Sequence, residues 1–343
     1  MSSDVLKFGL IGCGGIGKHH AKTIAALPDA ELVAVHDIRP ERAQEVAQQH
    51  GCEAYEDYAA MLARDDVQVV NVCTPSGLHA EHALAAAEAG KHVITEKPID
   101  VVLEKVDRLI ETCDKRGVKL ACIFQHRFDG DARRVKAAID EGKFGQLLLC
   151  NASVKWFRAQ SYYDSDTWRG TWALDGGVLS NQAIHYLDQI LWLMGDVAEV
   201  TFAEIKTQAR KMEAEDIAQA TLHFANGAWG SIQASTVTWP GLATRVEVCG
   251  TAGAAVLEGD RVALFRAEGE EEDATEAGAA ASVASADPAI GGLTGHDAQI
   301  ADFIAALREA RDPYVTGREA RRSLALLTDI YRKATGRPML GGG

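Results

Sequence analysis

Phe8-Gly9-Leu10-Ile11-Gly12-Cys13-Gly14-Gly15-Ile16-Gly17 is the stretch whose reading decides the fold. Phe8 to Ile11 is a short apolar run suited to a buried parallel strand, and from Lys18 the chain reads as a helix with Ala21, Ile24 and Ala25 on one face. The glycines fall at the turn between them. Gly12 permits the tight turn, Gly14 lets backbone approach a pyrophosphate, and Gly17 allows close packing of helix on strand. The N–H groups of the first helical turn then face phosphate, which assigns Gly12, Gly14, Gly15 and Ile16 to a dinucleotide. A second apolar strand, Leu32 to Val35, leads to Asp37, near the spacing of about 20 residues expected of an acid that accepts from a ribose 2′-OH. Such an acid repels a 2′-phosphate, so NAD is favoured. Arg39 keeps NADP open, and Ile38 and Arg39 join Asp37 as cofactor residues.

The alternation continues to about residue 123. Val67 to Cys73, His92 to Thr95 and Lys119 to Phe124 read as buried strands, with helices over Leu78 to Ala89 and Val102 to Arg116. This is the rhythm of a doubly wound parallel α/β sheet, a Rossmann domain over residues 1–123. Active groups in such sheets lie at the carboxyl ends of strands. That rule selects Thr74-Pro75-Ser76, Glu96-Lys97-Pro98 and Gln125-His126-Arg127, with Thr74, Pro75, His79, Glu96, Lys97 and Gln125 assigned to the cofactor. From Gln146 the pattern changes to longer alternating segments: Gln146 to Lys155, Ala198 to Thr207, Ala218 to Phe224, Trp229 to Thr236, Thr244 to Cys249 and Ala254 to Glu258. They predict a large, open, mostly antiparallel sheet in an α+β domain over residues 124–343 that binds substrate and makes the oligomer contact. Residues 267–293, rich in Glu, Ala and Ser, read as a mobile loop, and helical periodicity returns from His296 to Thr335.

A length of 343 residues accommodates two domains, and a formal net charge of -14 without any basic run excludes a nucleic-acid partner. With no apolar run of membrane-spanning length and no N-terminal leader pattern, the expectation is a cytoplasmic protein. The 7 cysteines are scattered and lack a C-x-x-C pair, which suits reduced, buried thiols. Cys13, inside the phosphate loop, reads first as a small residue that fits the turn and only second as a thiol for oxidation when the cofactor is absent. His79-x-x-His82 can place two rings on one helix face, but no third ligand follows at suitable spacing and no metal is expected.

The glycine loop, the strand ending at Asp37, the Glu96-Lys97-Pro98 tripeptide and Gly176-Gly177-Val178-Leu179-Ser180-Asn181-Gln182-Ala183-Ile184-His185-Tyr186-Leu187-Asp188 together resemble the Gfo/Idh/MocA oxidoreductases, in order and over essentially the full length. The resemblance implies hydride transfer between nicotinamide and a secondary hydroxyl of a free sugar, cyclitol or nucleotide-linked sugar, in a homodimer or homotetramer built through the second sheet. Oxidising such a hydroxyl requires a base at its oxygen, and Lys97 and His185 are the candidates. A lysine beside a cationic nicotinamide is held toward its neutral form, and Lys97 can also stabilise an alkoxide. On one continuous helix, Asn181, His185 and Asp188 share a face. Family members acting on inositol carry Asp where this chain has Asn181, which cannot accept a proton. Weight therefore shifts to Lys97 as principal acid/base, with Asn181 and His185 positioning substrate oxygens. Asp188 either orients His185 or satisfies a structural contact.

The run Asp166-Thr167-Trp168-Arg169-Gly170-Thr171-Trp172-Ala173-Leu174-Asp175 is similar to a subgroup acting on nucleotide-linked amino-sugar uronates, in which the Asn-x-x-x-His form also occurs. Arg169 offers a planar fork for carboxylate or phosphate and Trp168 a stacking face for sugar or nicotinamide, so both are assigned to the cofactor and Arg169 also to the substrate. Lys155 and Arg158 add positive charge to the same pocket. Two other activities fit the scaffold: an NAD-dependent glycosidase that oxidises only transiently, and a non-enzymatic sugar sensor.

Overall fold

The computed structural model describes residues 5–268 and 294–337. Six strands, β1 Leu6–Ile11, β2 Ala30–His36, β3 Glu53–Tyr55, β4 Val69–Val72, β5 His92–Thr95 and β6 Leu120–Cys122, form one parallel sheet in the order β3-β2-β1-β4-β5-β6. The order reverses between β1 and β4, so the loops after these two strands diverge and leave a crevice at their carboxyl ends. Helix Leu103–Arg116 shows how the crossovers are written. Its buried Val106, Leu109, Ile110 and Cys113 repeat at helical spacing, while Glu104 in the first turn and Lys115 and Arg116 in the last oppose the helix dipole.

The described residues divide into two compact units, 5–125 with 294–321 and 126–268 with 322–337. A single division at residues 123 and 124 assigns the whole C-terminal part to the second domain. The chain instead returns: helix Thr294–Arg308 places Ile300, Phe303 and Ile304 in the core with Phe8, Leu10, Ile24 and Ile94. Burying each such side chain contributes about 1.5–3 kcal/mol, which ties the return firmly to the parallel sheet.

In the second unit, β7 Leu147–Lys155, β8 Val197–Lys206, β9 Ile217–Phe224, β10 Trp229–Ser235, β11 Arg245–Gly250, β12 Gly253–Glu258 and β13 Arg261–Ala267 form a sheet in the order β13-β12-β11-β7-β10-β9-β8. Only β7 and β10 pair in parallel; the other pairs are antiparallel. One face is apolar and buried, carrying Cys150, Ala152, Val154, Ala220, Leu222, Ile232, Val246 and Val248. Helix Ile184–Met194, buried along its whole length, packs against β7. The opposite face exposes Leu149, Phe202, Ile217 and Trp229 among polar side chains.

β3 and β13 have no counterpart in the sequence reading. β3 spans three partly exposed residues, too short to display a period, and β13 begins and nearly ends on arginines. The loop expected over 267–293 begins where β13 ends, and 269–293 lies outside the described residues. Among the described residues no helix is long and apolar enough to cross a membrane.

Candidate active site

The glycine loop is built by close approach. Gly12 has φ +95°, and a Cβ there would lie 2.5 Å from the Cys73 carbonyl oxygen; one on Gly17 would lie 1.9 Å from the Gly12 oxygen. No side chain of ordinary size fits either place. Above the loop the situation is opposite: a Cβ on Gly15 meets nothing within 4 Å, and one on Gly14 meets only Arg42 Nη1, at 4.0 Å. Helix Gly15–Ala26 starts without a side-chain cap, so its first N–H groups are available to an anion. These features fit a dinucleotide pyrophosphate.

Asp37 is buried and braces the loop: Oδ2 accepts from the Cys13 N–H at 2.7 Å and Oδ1 from the Arg39 N–H at 2.8 Å. Each carboxylate oxygen keeps a second lone pair for a ribose hydroxyl. Ile38 beside it is 90 % exposed, and Arg39 is exposed as well. The Cys13 thiol is fully buried and pushed up to about 12, first by burial and then by Asp37 and Cys52, which holds it as an unreactive thiol.

At the ends of β4 and β5, Thr74, Pro75 and Lys97 are partly exposed, whereas His79 and Glu96 are buried. His79 does not line an open wall. Its Nδ1 lies 2.7 Å from the Pro98 oxygen and its Nε2 2.8 Å from the Thr74 oxygen, so the ring joins two loops. Glu96 points inward too, toward His20 and His296, and its Oε2 accepts from the Lys97 N–H at 3.1 Å. The peptide between Lys97 and Pro98 is cis. Gln125 is buried at the end of the first unit.

The Gln125-His126-Arg127 run, expected to face the cofactor as a whole, is split. Arg127 is buried and donates from two nitrogens, at 2.7 Å each, to Asp188, whose Oδ1 also accepts from Ser323 Oγ at 3.0 Å. Asp188 therefore carries a structural ion pair. His185 instead meets the edge of His126, with ring centroids 5.2 Å apart. Burial pulls the His126 imidazole down, but Asp260 and Asp129 outweigh it and hold it above its ordinary value.

The continuous helix expected through Asn181 and His185 is interrupted. Val178–Asn181 forms one short helix and Ile184–Met194 the next, because the Ala183 N–H reaches back five residues to the Val178 oxygen at 2.8 Å. Asn181 ends the first segment and His185 is the second residue of the next. The Asn181 amide N–H donates to Oδ1 of Asp175, a buried carboxylate whose Oδ2 accepts from the Gly170 N–H at 2.7 Å. Asp175 was visible in the sequence run with Arg169, but nothing in its spacing marks it as the partner of Asn181.

Arg169 is fixed between aromatic rings, its guanidinium carbon 4.4 Å from the Tyr162 centroid and 4.5 Å from that of Trp168. Nη1 also donates to the Tyr162 hydroxyl at 2.8 Å and Nε to Ser165 Oγ at 3.1 Å. Arg158 lies 5.7 Å from the same Tyr162 ring and 5.2 Å from Trp156. Two guanidinium groups thus share one tyrosine, an arrangement that keeps planar cations extended and oriented.

Comparison with known proteins agrees with both units. Residues 6–124 match a family model described as oxidoreductase family, NAD-binding Rossmann fold, and residues 132–256 match the GFO/IDH/MocA C-terminal domain. The chain belongs to the Gfo/Idh/MocA oxidoreductase family. As a member it is an NAD-dependent dehydrogenase. This Gfo/Idh/MocA enzyme is 32% identical over 253 residues to myo-inositol 2-dehydrogenase of Thermotoga maritima, covering 72% of this chain and 74% of that one. Among solved structures it is similar to the WlbA dehydrogenase of Bordetella pertussis in complex with NADH and UDP-GlcNAcA, with a TM-score of 0.86, 36% identity and 96% of each chain covered. The WlbA enzyme of Chromobacterium violaceum, in the same kind of complex, gives a TM-score of 0.87 at 32% identity, over 98% of this chain and 96% of that one.

Proposed function

We propose that the enzyme oxidises a secondary hydroxyl of a nucleotide-linked amino-sugar uronate, with Lys97 as the principal acid/base. The observation that carries this reading is the Arg158, Tyr162, Arg169 and Trp168 ladder: two oriented guanidinium groups on aromatic faces, in a chain whose formal net charge is -14. Such an array recognises a carboxylate or diphosphate attached to a stacking ring, and a neutral cyclitol does not require it. The WlbA complexes with UDP-GlcNAcA support the same class.

NAD, when bound, would supply the acceptor for hydride leaving the substrate carbon. The chain supplies the rest. Gly12, Gly14, Gly15 and Ile16 would present backbone to the pyrophosphate, Asp37 would accept from the adenosine ribose, Ile38 would offer an apolar edge beside it, and Thr74 and Pro75 would border the path toward Lys97. Lys97 Nζ takes the hydroxyl proton as the carbonyl forms and returns it in the reverse direction. Asn181, its N–H held by Asp175, turns its amide oxygen to accept from a sugar hydroxyl, and His185 shares the proton or fixes the reacting oxygen. The exposed apolar side chains of the second sheet, Leu149, Phe202, Ile217 and Trp229, are covered by a second copy of the chain.

The test is turnover of the purified enzyme with NAD and NADP against nucleotide-linked sugar uronates, free sugars and cyclitols, following reduced cofactor by absorbance. Activity confined to the nucleotide-linked acids is expected; equal activity on free cyclitols overturns the substrate class. Lys97→Met is expected to lower kcat by about 100-fold or more while NADH still binds. Near-normal turnover in that variant overturns the role of the lysine.

A further inference from the structure

Lys97 sits between two buried arrangements of histidine. On its N-terminal side is Glu96, 4 % exposed. One oxygen, Oε1, lies 2.9 Å from His20 Nε2 and 3.4 Å from His296 Nε2, while the other accepts from the Lys97 N–H at 3.1 Å. The Asn71 amide donates to His20 Nδ1 at 2.9 Å, which leaves the Nε2 hydrogen of the neutral ring for Glu96. Burial by itself raises this carboxyl, but the bonds from His20 and His296 outweigh it and hold Glu96 well below the usual carboxylate range, so it stays an acceptor. On the C-terminal side, the His79 ring stands between the Pro98 and Thr74 oxygens.

The three histidines come from separate parts of the chain. His20 is on the helix that opens at the glycine loop, His79 starts the helix after β4, and His296 is in the first turn of the returning helix. The start of that helix is fastened at several points. Gln299 donates from Nε2 to the Cys122 oxygen at 2.7 Å and accepts from the Phe124 N–H at 3.0 Å, and Asp297 accepts from Thr23 Oγ1 at 2.8 Å. A Cβ on Gly295 would come 2.4 Å from the Gln125 oxygen. Burying a carboxylate among imidazoles contributes little net stability compared with apolar packing. What it does contribute is a fixed acceptor at one backbone N–H.

We infer that His20 and His296, acting through Glu96, together with His79, acting through Pro98, are positioning residues that fix the main chain on both sides of Lys97 and so place its amine for proton transfer. The inference rests on Lys97 being the acid/base. It assigns a functional part to the return of the chain at His296, which lies beyond both matched family regions. Misplacing a reacting group by about 1 Å costs on the order of 100-fold in rate, and binding of a ligand held elsewhere is little affected.

The experiment compares His296→Leu, His296→Gln, His20→Leu and Glu96→Gln with the parent enzyme in kcat, substrate KM, NADH affinity by fluorescence, Tm and bound metal. The expected result for His296→Leu is a kcat about 10–100-fold lower with KM and NADH affinity within about 3-fold, and recovery of much of the loss in His296→Gln, whose amide can still donate to Glu96. If His296→Leu does not fold, Glu96→Gln, nearly isosteric, carries the same expectation. Folded variants that lose Tm but keep kcat within about 2-fold overturn the inference. So does a stoichiometric metal ion whose removal abolishes turnover, since the nearby ligand atoms of His20, Glu96 and His296 would then be a metal site. Lys97→Met separates the two readings: an inactive Lys97→Met beside a fully active His296→Leu defeats the positioning role alone, whereas an active Lys97→Met defeats the acid/base assignment beneath it.

Discussion

At the scale of the residue, the chemistry of position 181 is set by its neighbour. Asn181 donates to Asp175, so the amide is oriented with its oxygen as the remaining acceptor. Introducing Asp there would set two carboxylates against each other. Two such groups share one proton, and the second ionises with difficulty. Asn181→Asp is expected to lower kcat/KM by about 10-fold or more at pH 8, with partial recovery toward acid as one carboxyl protonates and donates to the other. Asn181→Asp combined with Asp175→Asn should restore activity at pH 8. A pH profile of the single variant that runs parallel to the parent enzyme would falsify this account. Of these two residues only Asn181 was legible in the sequence as a site residue. Its partner was not, because the bond depends on how a turn folds back over Gly170.

At the scale of the element, two buried charges support the second unit. Asp188 holds Arg127 through paired bonds of 2.7 Å, and both side chains are buried. Asp188→Asn removes the carboxylate charge that faces the buried Arg127 guanidinium and is expected to cost about 3–5 kcal/mol in chemical denaturation, while kcat of the folded fraction stays near that of the parent enzyme. A specific loss of kcat without loss of stability would instead give Asp188 the His185-orienting role. Glu215 supports the start of the Val178–Asn181 segment by accepting from the Leu179 N–H at 2.9 Å and from the Tyr331 hydroxyl at 2.8 Å. Burial pushes this carboxyl up from 4.5 to about 7, against the pull of those two bonds. Because the folded pKa lies above the unfolded one, the stability it contributes is complete below pH 4.5 and is lost as pH rises through about 7. The total loss is roughly 3 kcal/mol as an order of magnitude. Glu215→Gln should flatten the fall in Tm between pH 5 and pH 8. Long strands and helices were legible from their periods, but the break between Asn181 and Ile184 was not: no Gly or Pro stands there, and a backbone bond five residues back makes the interruption.

At the scale of the whole molecule, the proposed dimer rests on the exposed face of the second sheet. Trp229 faces Leu149 across β10 and β7 and stacks on His223 at 4.8 Å, an apolar row 47–49 % exposed at its two large members. Trp229→Glu and Phe202→Glu are expected to lower the mass measured by light scattering to that of the monomer, with NADH affinity retained. An unchanged mass in the double variant, or a monomeric parent, removes the dimer proposal.

The sequence by itself determined the two sheets, the dinucleotide loop and the strand end that carries Lys97. Those features are local: glycine at a turn, an apolar run, an acid one strand further on, each readable from neighbours a few residues apart. Only the tertiary structure decided that the chain returns at Thr294 to the parallel sheet, that Asp188 belongs to Arg127, and that Glu96 is held by His20 and His296. These pairings join residues far apart along the chain, where spacing carries no signal and only burial and hydrogen-bond satisfaction select the partner.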